Sequence, residues 1–418
     1  MDPAIGRAVR LVVRDHDLHR SRLTAGFRIF LAIPHIFWLL GWFTLVAGPI
    51  ATANWIATLV QGRPSPMLHR HLVTYLRYTV HVASYVSLAA NPFPGFRGRP
   101  GSYPVDIEVD EPGTQNRWAT GFRLVLALPA MLLADTLLGY GTVAAGGAGT
   151  QFGGVVATVA FLGWFVCVIR ARIPQGFRDV AVYAIGYSAQ VMGYLLLLTG
   201  RYPNSDPATY EAVNVHRFDP IRVEVGADLR RSRVTTFFRL PLAVPHLAWM
   251  ILWGIAVFFA SVANWFVALF RGRPAPPLHR FIARFVRYQT HVYAFLQLVA
   301  NPFPGFSGRP GTYPLDVVLP APERQRRVVT GFRLLLGIPA FMVSGALGGA
   351  ASLAAVYSWF YALVRGRVPR GLRNLGAFSL RYNAQTLGFA ALLTDRYPYS
   401  GPIGGWQLTL EAPAPQPA

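Results

Sequence analysis

The chain alternates long apolar runs with short polar punctuation. No charged residue interrupts the stretches from Arg28 to Arg63, from Arg239 to Arg271, or from Arg333 to Arg365. Each exceeds the roughly 20 residues that carry a helix across a bilayer. A proline stands near the start of each run and of a fourth, at Pro34, Pro129, Pro245 and Pro339. Proline withholds a helix hydrogen bond and disfavours helix in the residue before it. The pattern predicts a short interfacial helix holding the arginine of a Gly-Phe-Arg or Phe-Phe-Arg opening, then a kink, then a tilted span of about 25 residues. Trp55, Trp164, Trp265 and Trp359 fall near the far ends, where interfacial anchors belong.

A Gly-Arg-Pro or Arg-x-Pro turn follows each run and opens a second helix. Val180 to Thr199 carries no charge, and Leu375 to Thr394 matches it with Arg381 inside. An Asn-Pro-Phe-Pro or Arg-Tyr-Pro segment stops the second helix. Two spans per unit give about eight, with the termini and linkers on one face and the turns on the other. The alternative is a hairpin that dips into one leaflet. Short alternating segments at 10–13, 105–109, 221–225, 315–318 and 406–410 predict strands, together a small sheet capping the bundle. The tail 412–418, rich in proline and alanine, reads as disordered.

The pattern is a fourfold repeat. Residues 26–104 and 237–314 share Phe-Arg, Pro-His, Asn-Trp, Gly-Arg-Pro, Leu-His-Arg, Arg-Tyr, Asn-Pro-Phe-Pro-Gly-Phe and Tyr-Pro in order. Two copies with a shorter signature run from Gly121-Phe122-Arg123 to Arg201-Tyr202-Pro203 and from Gly331-Phe332-Arg333 to Arg396-Tyr397-Pro398. The order is A-B-A′-B′, with copies at 1–104, 105–204, 205–314 and 315–400, and a C-terminal strand and tail at 401–418. Copy B carries a glycine-rich insertion at 139–154.

These motifs together resemble an uncharacterised bacterial membrane domain, common in actinobacteria: the domain of unknown function numbered four-three-eight-nine. The resemblance covers nearly the whole chain in four copies. It implies a membrane location and no known activity, and supplies no catalytic residues.

Composition agrees. Of 418 residues 53% are hydrophobic and only 14% charged, where a soluble domain carries about a quarter. All 39 basic residues are arginine, against 18 acids, for a net charge of +21. That usage fits a GC-rich genome. Without lysine there is no Schiff base and no phosphate-loop lysine. The single cysteine, Cys167, excludes intrachain disulfides and cysteine-rich zinc sites. The aromatics lie within apolar runs rather than on a basic surface, so nucleic acid is not an expected partner.

The second helices hold the unusual chemistry. Arg77, His81 and Tyr85 fall at i, i+4 and i+8, with Tyr78 beside them. The counterparts are Arg287, Tyr288, His291 and Phe295 in A′, Arg381, Tyr382, Gln385 and Phe389 in B′, and Gly186, Tyr187, Gln190 and Tyr194 in B. If these helices span, an arginine lies deep in the bilayer and must face protein or water. One reading is a polar conduit or anion-binding seam. The other is interhelical hydrogen bonding with arginines snorkelling to the headgroups. Asp135 is the one acid inside a first span, with a ridge arginine as expected partner and a static ion pair favoured over proton coupling. His81 and His291 could ligate haem b through both axial positions, but the B copies place glutamine there, so no cofactor is expected. Arg63, Arg172, Arg273 and Arg367 sit at headgroup level, where guanidinium pairs phosphate.

No nucleophile–base set, close carboxylate pair or His-Glu-x-x-His motif stands out, and the protein is not expected to be an enzyme. The sequence favours an all-α integral membrane protein of the bacterial inner membrane with cytoplasmic termini. Its expected role is a non-catalytic scaffold, lipid-interacting element or accessory subunit of a membrane complex. A transporter or channel along the second helices is the alternative, and a haem-bearing electron carrier a third.

Overall fold

The computed structural model describes residues 7–139, 153–207 and 220–402. The chain divides into two compact units, Met1–Asn204 and Ser205–Ala418, each holding one A-type and one B-type copy. The glycine-rich stretch of copy B, apart from Gly139, Gly153 and Gly154, and the predicted strand at 406–410 with its tail lie outside the described residues.

In copy A the first helix runs from Arg22 to Gln61. It comprises α1 (Arg22–Trp42), a π-helical turn (Phe43–Ala47) and α2 (Gly48–Gln61). The second helix is α3 (Pro66–Val86). Copy B contributes α4 (Arg117–Gly121), α5 (Arg123–Leu138), α6 (Val155–Arg170) and α7 (Gln175–Leu195). Unit two repeats the scheme as α8 (Arg233–Phe237), α9 (Arg239–Arg271) and α10 (Pro276–Leu296). It closes with α11 (Arg327–Gly331), α12 (Arg333–Arg365) and α13 (Arg370–Ala390). The proline does not break the first helix: Pro34, Pro129, Pro245 and Pro339 all lie inside continuous helix. The break, in three copies, comes at the phenylalanine before the arginine (Phe122, Phe238, Phe332), so that the arginine opens the long helix.

That arginine ties each copy together. A helix leaves its last four carbonyls without intrahelical donors and concentrates negative charge there. Arg28 Nη1 donates to Tyr85 O at 2.7 Å and Ala90 O at 2.8 Å, at the end of α3. Arg123 donates to Thr199 O at 3.0 Å, Arg239 to Phe295 O and Ala300 O, and Arg333 to Phe389 O and Thr394 O. Each guanidinium also sits over the aromatic ring of that end, 4.1–4.7 Å from the centroids of Tyr85, Tyr194, Phe295 and Phe389. Eight residues earlier in each copy stands a second donor, Arg20, Gln115, Arg231 or Gln325. It donates to the carbonyl of Leu88, Leu197, Leu298 or Leu392, respectively. All four leucines have left-handed backbone, with φ between 57° and 64°. Glycine usually fills that position, but these leucine side chains are buried and pack instead.

The two copies of a unit run head to tail. Gln115 N, ahead of the copy B helices, donates to Gly62 O in the turn of copy A. Reciprocally, Arg20 N donates to Ala171 O in the turn of copy B. The tryptophans complete the exchange: Trp55 Nε1 donates to Thr120 O and Trp164 Nε1 reaches Gly26 O. In unit two Trp265 reaches Thr330 O and Trp359 reaches Thr236 O, with Gln325 N on Gly272 O and Arg231 N on Gly366 O. Contacts at both ends make the first helices of a unit antiparallel. The turns of A and B therefore lie at opposite ends, not on one common face as the sequence suggested.

The expected sheet is two separate ladders. β1 (Val9–Val13) pairs antiparallel with β2 (Val105–Val109), and β3 (Arg222–Val225) with β4 (Leu315–Val318). Each lies across the second helices of its unit, β1 on α7, β2 on α3, β3 on α13 and β4 on α10. The second helices in turn pack on the first helices. The layers run first helices, second helices, ladder.

Three helices among the described residues are long and apolar enough to cross a membrane: Arg22–Gln61, Arg239–Arg271 and Arg333–Arg365. This corrects the expected eight. The four second helices fall short because they are polar and are wrapped by protein on nearly every side, Phe295 and Tyr382 being fully buried, and the first run of copy B is described only as α5 and α6, 16 residues each, on either side of residues 140–152.

Replacing Arg239 by alanine leaves carbonyls at the end of α10 without donors, a loss of about 3 kcal/mol. Arg239→Lys cannot reproduce the fork and recovers less than half of it. Thermal unfolding of the two variants in detergent checks both values.

Candidate functional site

The ridge of the second helices is the most polar feature of the interior. Its groups are gathered by the ladders. Asp106 on β2 accepts from Arg77 Nε at 2.9 Å, Gly101 N at 2.6 Å and Ile107 N at 2.8 Å. His81 Nε2 lies 3.4 Å away from the same oxygen that Arg77 engages, and its ring lies 4.9 Å from Tyr103. In unit two Asp316 holds Arg287 at 3.0 Å, Gly311 N at 2.6 Å and Val317 N at 2.7 Å, with His291 at 3.4 Å and Tyr313 against the ring. Arg77 and Arg287 also donate to the strand carbonyls of Ile107 and Val317.

Burial pushes both carboxyls up, but the histidine alongside, hydrogen bonds from two backbone amides and the arginine charge outweigh it. Asp106 is held far below the usual carboxylate range, and Asp316 at about 2.

Tyr78 turns the other way. Its hydroxyl lies 2.6 Å from Nδ1 of His35, and Tyr288 pairs with His246 at 2.8 Å. The Asn-Pro-Phe-Pro-Gly-Phe loop closes over these histidines: the Phe96 ring stacks on His35 at 4.4 Å and Phe306 on His246 at 4.2 Å. Gly98 fixes the loop, since at φ +56° a Cβ there would stand 2.6 Å from Thr74 O. Tyr85 lies under Arg28.

The B-type copies use their ridge differently. Gln190 Oε1 accepts from Asn204 N at 3.0 Å. Gln385 accepts from Tyr399 N at 3.3 Å and donates to Ile221 O at 3.1 Å, while Arg381 donates to Tyr399 O and Gly401 O at 3.3 and 2.6 Å. Tyr382 is fully buried. His69 and His279, early in α3 and α10, reach Leu198 O and Leu393 O at 3.3 and 3.4 Å, and burial lowers their pKa values.

Several expectations change. Arg77 and Arg287 face protein, each against a strand. The carboxylate partner of Arg77 is Asp106, not Asp135, which is half-buried in the last turn of α5. His81 and His291 are committed to a carboxylate and a tyrosine ring, contacts a haem ligand would have to surrender. Among the described residues no three His, Cys, Asp or Glu side chains gather as a metal site would. The turn arginines Arg63, Arg172, Arg273 and Arg367 are exposed. Sequence reasoning missed Asp106, Asp316 and the four capping arginines. One signal was available: an arginine–histidine pair occurs only in the copies whose following linker has aspartate in its strand.

The sequence profile of a domain of unknown function (DUF4389) matches residues 22–97, 233–307 and 327–400. These segments make up more than half of the chain, which belongs to that family. They fall on copies A, A′ and B′. Copy B, outside the match, repeats the same arginine-capped pair of helices. No curated protein and no solved structure matches the chain.

The depressed carboxyls set an acid limit. A carboxyl whose pKa is lower folded than unfolded contributes stability above the unfolded value and loses it as pH falls through the folded one. Stability should hold down to about pH 4 and fall away toward pH 2. Asp316→Asn should lower stability at pH 7 by about 2 kcal/mol and flatten that acid limb. Denaturant titrations between pH 2 and 7 read both.

Proposed function

We propose that this member of the family is a non-catalytic protein of the bacterial plasma membrane that binds lipid through its first helices, as a scaffold or accessory component of a membrane complex. One observation carries the reading: apolar side chains point outward and polar ones inward. Leu45, Phe258 and Phe259 are 80%, 64% and 66% exposed on first helices. Large apolar side chains left bare along a helix are unfavourable in water, and lipid covers them without cost. A conduit would need ridge groups turned toward a water path. The ridge arginines and glutamines are instead spent on Ile107, Val317, Tyr399, Gly401 and Ile221.

The exposed turn arginines add a preference. Guanidinium pairs phosphate oxygens bidentately, so anionic headgroups are favoured. After detergent removal in the presence of phosphatidylcholine vesicles the protein should float with the lipid. Phosphatidylglycerol should strengthen the association. Replacing Arg63, Arg172, Arg273 and Arg367 together by glutamine should remove most of that gain, about 1 kcal/mol per arginine, and leave association with neutral vesicles. Failure to float with either lipid contradicts the reading, and solute flux through the vesicles favours transport.

A further inference from the structure

We infer that each unit lies along one face of the bilayer, its antiparallel first helices sunk side by side into a single leaflet, with the second helices and β ladder toward water. The inference rests on the proposed lipid contact of the first helices and adds its geometry.

Three observations point to it. The first is the level of the charged ladder. Arg10 faces Glu108 and Asp110 across β1–β2, with side chains 54%, 54% and 40% exposed. The same ladder holds Arg77 through Asp106, and the neighbouring Tyr78 meets His35 well inside α1. In unit two Arg222 and Glu224 are exposed on β3, and Asp316 holds Arg287 beside Tyr288, which meets His246 and packs against Trp253 within α9. The charges lie alongside the apolar helices, not beyond their ends. If those helices crossed the bilayer, exposed ion pairs would stand at hydrocarbon depth. With the helices in plane, lipid covers one side of the unit and water the other.

The second observation is length. α9 and α12 have 33 residues each, and the first helix of copy A has 40. At 1.5 Å per residue these span about 50 and 60 Å. The bilayer is about 40–45 Å thick with its headgroup layers, so a crossing would tilt α9 and α12 by about 30° and the first helix of copy A by about 45°, past the range of about 0–40° that spans adopt. An in-plane helix has no such limit.

The third is charge symmetry. A crossing element collects arginine on one side. Here both ends of the paired first helices carry it: Arg63 and Arg117 at one end of unit one, Arg22, Arg170 and Arg172 at the other, all exposed. In unit two Arg327 donates to Phe270 O at one end and Arg233 to Val364 O at the other. Two equally basic ends suit a body whose ends reach the same headgroup layer.

Single cysteines test this in native membranes. In a Cys167→Ala background, Arg63→Cys, Arg172→Cys and Glu108→Cys are exposed separately to a membrane-impermeant maleimide, in sealed spheroplasts and in inverted vesicles. All three should label in one preparation and none in the other. Labelling of Arg63→Cys and Arg172→Cys from opposite sides overturns the inference, and so does a Glu108→Cys that labels from neither. Loss of the protein from the membrane fraction counts against the lipid-binding reading itself. Polarised infrared spectroscopy of the unsubstituted protein in oriented bilayers gives a second measure. Helix axes in the bilayer plane are expected, and axes along the normal overturn it.

Discussion

Everything in this fold hangs on the disposal of four buried helix ends. Each second helix stops inside the protein, where its last carbonyls meet no water. In copies A, A′ and B′ an arginine near the start of the first helix reaches across to a carbonyl of that last turn and lies on the aromatic ring beneath it; in copy B Arg123 lies on the Tyr194 ring and donates to Thr199 O just beyond the helix. One residue thereby satisfies several acceptors, offsets the helix dipole and fixes the start of one helix against the end of another. A second donor eight residues earlier holds the left-handed leucine that turns the chain out of the helix.

With the hairpin of each copy locked in this way, the copies can exchange contacts. Turn amides and tryptophan indoles of one copy reach the first-helix start of the other, and the exchange works only if the two run in opposite directions. The linker after each A-type copy must then pass from one end of the unit to the other. Its strand lies midway, where Asp106 or Asp316 meets the arginine of the second helix. The layered arrangement follows, with apolar surface on one side and a charged ladder on the other.

Much of this was legible in the sequence, and the failures share a cause. The repeats, the helices of each hairpin and four strand segments could be read because periodicity and punctuation are local. The orientation of the repeats could not, since it depends on hydrogen bonds between residues such as Arg20 and Ala171 that lie far apart in sequence. The second helices read as spans in the sequence because stretches such as 180–199 are uncharged. Freedom from charge, however, does not tell lipid from protein as the surrounding medium. Pro34 and its counterparts point to a kink, yet the first helix tolerates them, and in copies B, A′ and B′ it breaks instead at the preceding phenylalanine. The capping arginines were visible as openers of apolar runs, but their partners lie about 60 residues away in sequence. That distance hid their role.

The central claim is that the ridge and its arginine-capped ends form a closed, dry interior. Hydrogen–deuterium exchange of the unsubstituted protein in lipid tests it directly. Amides of residues 78–90 and 288–300 should be among the slowest in the chain, exchanging only on opening of a whole unit. Exchange of those amides within minutes, while the ends of the first helices stay protected, would mean that water runs along the second helices and would contradict the account.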